Sequence, residues 1–170
     1  MRKPPMASKA SGKLILVLLA LMLIFNVIIF PSLTAGTTMV PLDLQFAYTP
    51  ERAYELIESY GDEMRWKYAI GEMTIDVAYP VVYTLFMSIA LMLLFPANWK
   101  LAWLPYSIFV FDIFENTGIV TLLLNYPNQL NAVAWCTSFF SSVKWVMVLV
   151  VTLIILFGLF QKFKSRGQEL

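Results

Sequence analysis

Apolar and polar positions along the chain resolve into four long apolar stretches separated by short polar breaks. The first covers about residues 14–33, with Asn26 its one strongly polar side chain and Pro31 set to stop it. The second covers 73–95, free of charge from Val77 onward and closed by Pro96. The third covers 101–124 and is interrupted by Asp112, Glu115 and Asn116; the fourth covers 135–160 and is interrupted by Lys144. A bilayer core about 30 Å thick needs about 20 mostly apolar residues per helix. The pattern therefore predicts an all-α polytopic membrane protein, a four-transmembrane-helix bundle that forms a single membrane domain over residues 1–170.

Residues 36–70 form the one long loop. Its first part, 36–48, reads as irregular. Thr49-Pro50-Glu51 then reads as a helix start, with Thr as N-cap, Pro in the first turn and an acid beside the helix N-terminus. Ala53, Leu56, Ile57 and Tyr60 recur at helical spacing, and Gly61 is placed to end the helix. A short amphipathic helix of this kind lies on the membrane surface or caps the bundle; a lid or partner-docking helix is the alternative. A second helix starts near Asp62 and feeds into the second span.

Composition narrows the function classes. Of 170 residues, 59% are hydrophobic and 14% charged, and the mean hydropathy is +0.72. Such a chain cannot build a polar surface around one core, which excludes soluble globular and disordered classes. A net charge of +1 gives no field for a polyanion, so no nucleic-acid partner is expected. Cys136 is the single cysteine and histidine is absent, which removes disulfides, His-ligated haem and Ser-His-Asp chemistry. Cys-x-x-Cys, Gly-x-Ser-x-Gly, Asp-x-x-Asp and Walker patterns are absent too, so no cofactor and no metal ligands are assigned.

Lys and Arg near the span ends set the orientation. Arg2, Lys3, Lys9 and Lys13 precede the first span, Lys100 lies between the second and third, and Lys162, Lys164 and Arg166 follow the fourth. The long loop is acidic on balance instead, with Asp43, Glu51, Glu55, Glu58, Asp62 and Glu63 against Arg52, Arg65 and Lys67. Both termini read as cytoplasmic and the loop as external. A cleaved signal peptide over the first apolar run is the competing reading; Leu33-Thr34-Ala35 is a poor cleavage site for it.

Candidate chemistry lies in the spans. A charged residue at membrane depth costs about 2.5–3.5 kcal/mol on insertion scales, so such residues face the bundle interior. Asp76, Tyr79, Pro80 and Tyr83 share one helix face; Asp112, Glu115 and Asn116 share another; Thr137, Ser141 and Lys144 form a polar stripe on the fourth span. At about 1.5 Å of rise per residue, Asp112 lies near the midplane and Glu115 about 5 Å further out. Pro80 frees a backbone carbonyl one turn earlier, near Asp76. Asp112, Glu115 and Lys144 are the candidate catalytic groups, and Asp76, Tyr79, Tyr83, Asn116 and Ser141 the candidate ligand-binding groups. Three acids against one ammonium leave a negative excess that a bound proton relieves, which suits acid–base chemistry. A Lys144 ion pair to Asp112 or Glu115 that only fixes helix register is the structural alternative.

The segments Ile75-Asp76-Val77-Ala78-Tyr79-Pro80-Val81-Val82-Tyr83, Leu104-Pro105-Tyr106 and Phe111-Asp112-Ile113-Phe114-Glu115-Asn116 resemble a group of small four-span bacterial membrane proteins with an acidic first outer loop. The shared pattern is Asp-x3-Pro-x2-Tyr, then Leu-Pro, then Asp-x2-Glu-Asn, over roughly residues 45–150. The resemblance implies the fold and a bacterial cytoplasmic (inner) membrane, and no reaction. A looser architectural likeness is to four-helix sterol-isomerase-like membrane proteins, whose isomerase members use a histidine that this chain lacks. Three functions compete: a protein that binds or acts on a lipid-like ligand, a small proton-linked transporter component, and a structural subunit docked to a membrane protein partner.

Overall fold

The computed structural model describes residues 11–35 and 39–166. Helix α1 runs Gly12–Leu33, and Ser11 caps it by accepting the Leu14 N–H at 3.3 Å. A π turn at Phe25–Ile29 carries the helix past its expected stop, so Pro31 falls inside the last turn. Thr49 caps the next helical run, Pro50–Leu94, through the Arg52 N–H at 3.3 Å. Gly61 breaks that run with φ 70° and ψ 166°, a conformation closed to residues with a Cβ. The break separates α2, residues 50–60, from α3, residues 62–94. A 3-10 segment, Pro96–Trp103, makes the next connection, and α4 runs Leu104–Asn125. The α-helix starts at Leu104 rather than 101, with Pro105 in its first turn, where a missing N–H leaves no bond unmade. Helix α5 runs Asn131–Arg166.

Four of these helices are long and apolar enough to cross a membrane, and the chain is a multi-pass membrane protein. The tail positions Arg2, Lys3 and Lys9, which enter the orientation argument, lie outside the described residues.

Two apolar clusters occupy opposite ends of the bundle. At one end, Leu42, Tyr54, Ile57 and Tyr60 pack with Ile119, Leu122 and Leu123. Helix α2 thus caps the ends of α4 and α5, because its Ala53–Leu56–Ile57–Tyr60 face is the buried one. At the other end, Leu18 of α1 meets Ile89 and Leu91 of α3, Ile108 of α4 and Val151 of α5. The polar residues of the spans fall between the two clusters. Helix α1 rests against α3 and leaves most of its apolar surface outward, as a lipid-facing helix does.

Helices α4 and α5 approach closely at Gly118. A Cβ there would lie 2.0 Å from Thr137 Oγ1 and 3.0 Å from Thr137 Cβ. Thr137 cannot swing aside cheaply, because its hydroxyl donates to the Val133 carbonyl at 2.8 Å. Small residues at crossings are how membrane helices gain contact without a hydrophobic driving force. Gly118→Ala is therefore expected to lower stability in detergent by about 1–3 kcal/mol through overpacking. Adding Thr137→Ala should recover most of that loss, read by thermal unfolding; no recovery would mean that the crossing is not the site of strain.

Candidate functional site

The polar layer is built around Lys144. Its Nζ lies 2.5 Å from Glu115 Oε2 and 3.3 Å from Asp112 Oδ1. Tyr83, from α3, donates to the other Asp112 oxygen at 2.6 Å. Face spacing places all four: Asp112 and Glu115 are three residues apart on α4, and Lys144 continues the Thr137–Ser141 stripe of α5. The group is sealed, with exposures of 0% for Glu115, 3% for Asp112 and 8% for Lys144. An ammonium shared between two carboxylates at such burial fixes the relative register of α4 and α5, and the Tyr83 bond ties in α3.

Asn116 belongs to the same face but has a different task. Pro80 has no N–H for the carbonyl of Asp76, four residues earlier. The Asn116 side-chain amide donates to that carbonyl at 2.9 Å. Its other end, Oδ1, is buried with no hydrogen-bond partner. Tyr79 turns instead toward α1: its hydroxyl accepts from Asn26 Nδ2 at 2.8 Å, and its ring packs against Phe25 and Phe30. Its link to the acids is through the Tyr83 ring, 5.5 Å away between centroids.

Residues 42–48 were expected only as an irregular loop. They form a strap along α5. Tyr48 N–H donates to Ser138 Oγ at 2.8 Å, Ser141 to the Gln45 carbonyl at 2.6 Å, Ser142 to the Phe46 carbonyl at 2.9 Å and Trp145 Nε1 to the Asp43 carbonyl at 3.2 Å. Ser138, Ser141, Ser142 and Trp145 are spaced i, i+3, i+4, i+7, so one stripe of α5 satisfies the backbone of the strap. Non-helical backbone beside a membrane bundle survives only with such partners. Ser141, a candidate ligand group by its spacing, is occupied in this way.

The strap brings Asp43 to the helical acids. Asp43, Glu72 and Asp76 place one carboxylate oxygen each within 4.8 Å of one another. Tyr68 donates to Asp43 Oδ1 at 2.5 Å and accepts from the Leu42 N–H at 2.9 Å. Glu72 is 3% exposed, and its Oε2 has no hydrogen-bond partner. The Tyr48 hydroxyl and Glu115 Oε1 are likewise buried and unpaired. Burial first, then the negative charges of Glu115, Glu72 and Asp43, push the Tyr48 phenol well above its ordinary pKa. Asp43, in a 3-10 turn at Leu42–Leu44, has no helical face to find it by, but Glu72 lies four residues before Asp76 on one helix, a spacing that could have placed it on the Asp76–Tyr83 face.

A groove of about 280 Å³ opens between α3 and α4 on the outside of the bundle. Val77, Ile113, Thr117 and Val120 line it, with Glu72 and Asn116 at its polar edge. No family model, curated protein or solved structure matches the chain.

The Pro80–Asn116 pairing gives a direct test. Asn116→Leu strands the Asp76 carbonyl and should cost about 1–3 kcal/mol, the desolvation penalty of an unpaired buried acceptor. In a Pro80→Ala background the helix supplies its own N–H, so the same substitution should cost clearly less. Equal losses in the two backgrounds, by thermal unfolding in detergent, would contradict the pairing.

Proposed function

We propose that the chain is a lipid-binding protein of a bacterial cytoplasmic membrane, both termini inside, that takes the polar end of a lipid-like molecule to its buried acids for proton transfer. The groove between α3 and α4 carries this reading. It is apolar where it faces the membrane and polar where Glu72 and Asn116 meet it, which matches a molecule with an acyl or isoprenoid body and a polar end. Asn116 Oδ1 and Glu72 Oε2, both buried and unpaired, are the atoms free to receive a hydroxyl or an amine. Asp112, Glu115 and Lys144 act from behind, setting the charge that a proton passing through Glu72 encounters. The Lys and Arg bias of the termini supports the orientation, and the likeness to small four-span bacterial proteins supports the setting.

A second reading, a structural subunit of a membrane complex, is favoured by the buried Lys144 group, whose ammonium is paired with both acids. Lipid co-purification separates the two. Val77→Trp fills the groove from a half-exposed position and replaces none of the acids. It should reduce tightly bound lipid severalfold by mass spectrometry while leaving the unfolding temperature unchanged. Bound lipid equal in amount and kind in both proteins would favour the structural subunit.

A further inference from the structure

Three carboxyl groups, Asp43, Glu72 and Asp76, meet between the strap and α3, and two more, Asp112 and Glu115, meet Lys144, the one ammonium paired with any of the five among the described residues. That ammonium is taken by Asp112 and Glu115. Among the described residues, no ion pair reaches Asp43, Glu72 or Asp76. Three carboxylates within 4.8 Å of one another, one of them fully buried, repel strongly unless a positive charge lies between them.

We propose that Asp43, Glu72 and Asp76 bind one hard divalent cation, of the calcium, magnesium or manganese class, between the strap and α3. The donor set is all oxygen, with no nitrogen or sulfur, which selects that class over zinc or copper. Oxygens within 4.8 Å of one another can reach a common ion at bond lengths of about 2.1–2.6 Å with little movement. The orphaned oxygens point the same way. Glu72 Oε2 lacks a partner, and the Tyr48 hydroxyl, on the strap that carries Asp43, is buried and unpaired too. Tyr48 is 5% exposed and is held in the strap by its N–H on Ser138 Oγ, so a second buried polar group lacks a partner there. A water on the cation would give that hydroxyl an acceptor. Asp43 and Asp76 are only half-buried, which leaves the ion a way in from the loop end.

The cation also explains the strap. Asp43 is held by Tyr68 and by Trp145 on its carbonyl, so its carboxylate is presented to α3 rather than to water. A strap whose only purpose was packing would not carry an acid toward two others.

The site shares Glu72 with the lipid reading but is argued from the three carboxylates, and its test uses the cation alone, so its failure leaves that reading standing. Purified full-length protein in detergent is titrated with Mn²⁺ at neutral pH, and free Mn²⁺ is read by its electron paramagnetic resonance signal. The wild type should bind about one ion per chain, with Ca²⁺ or Mg²⁺ competing. Glu72→Gln and Asp43→Asn should each weaken binding at least roughly tenfold, the range typical of removed metal-site groups. Glu58→Gln, on the exposed face of α2, should leave binding unchanged. No bound Mn²⁺ at millimolar concentration, or binding indifferent to Glu72 and Asp43, would overturn the site and leave a shared proton as the counter-charge. Should either variant fail to fold, the wild type decides: its unfolding temperature must rise with Ca²⁺ or Mn²⁺ and fall back with chelator, and a flat response overturns the proposal.

Discussion

Between the two apolar ends of the bundle, the Lys144 ammonium lies 2.5 Å from Glu115 and 3.3 Å from Asp112, and the packing of three helices depends on that contact. Each of these groups alone is a heavy cost at membrane depth. Together they satisfy one another, and the arrangement holds only if α4 and α5 meet in one register. Gly118 allows the approach by presenting no side chain to Thr137. Tyr83 then adds α3 through Asp112. A buried ion pair of this kind adds little net stability over an apolar core, but removing one partner strands the rest. The layer therefore specifies the bundle more than it strengthens it.

A second constraint, that no backbone polar group be left bare, shapes the rest of the polar layer. Pro80 opens the α3 hydrogen-bond ladder, and Asn116 closes the gap from the neighbouring helix. Asn26 does related work in the π turn of α1, donating to the Met22 carbonyl and to Tyr79, each at 2.8 Å. The strap of residues 42–48 is the largest instance, since a stripe of three serines and a tryptophan on α5 takes up its backbone. Polar side chains that look like ligand groups in a span are thus divided between two tasks. Ser141 and Tyr79 serve packing, whereas Glu72 and the far end of Asn116 keep unpaired oxygens at the edge of a groove.

How much of this was legible in the sequence depends on periodicity. Four spans follow from apolar length, and the Asp112–Glu115–Asn116 face and Lys144 stripe follow from helical spacing. Pro80 announced a free carbonyl at Asp76, though not that Asn116 would meet it. Asp43 could not be placed, because the stretch before Thr49 shows no helical pattern, whereas Glu72, four residues before Asp76 on the helix that feeds the second span, was within reach of the same spacing. The stripe of Ser138, Ser141, Ser142 and Trp145 is a signal for a packed partner, and its i, i+3, i+4, i+7 spacing points to the loop. Tyr79 shared a face with Asp76 and Tyr83, yet Asn26 and two phenylalanines of α1 drew it away. A helix with neighbours on two sides divides one face between them, which spacing alone does not resolve.

The central claim, that one ammonium organises the buried acids, is tested most directly by unfolding in detergent of Lys144→Met beside the triple variant Lys144→Met/Asp112→Asn/Glu115→Gln. The account predicts a loss of about 3–5 kcal/mol for the single variant, as for any buried ion pair deprived of one partner. It predicts recovery of most of that loss in the triple variant, where no unmatched charge remains. A single variant as stable as the wild type, or a triple variant no better than the single, would contradict it.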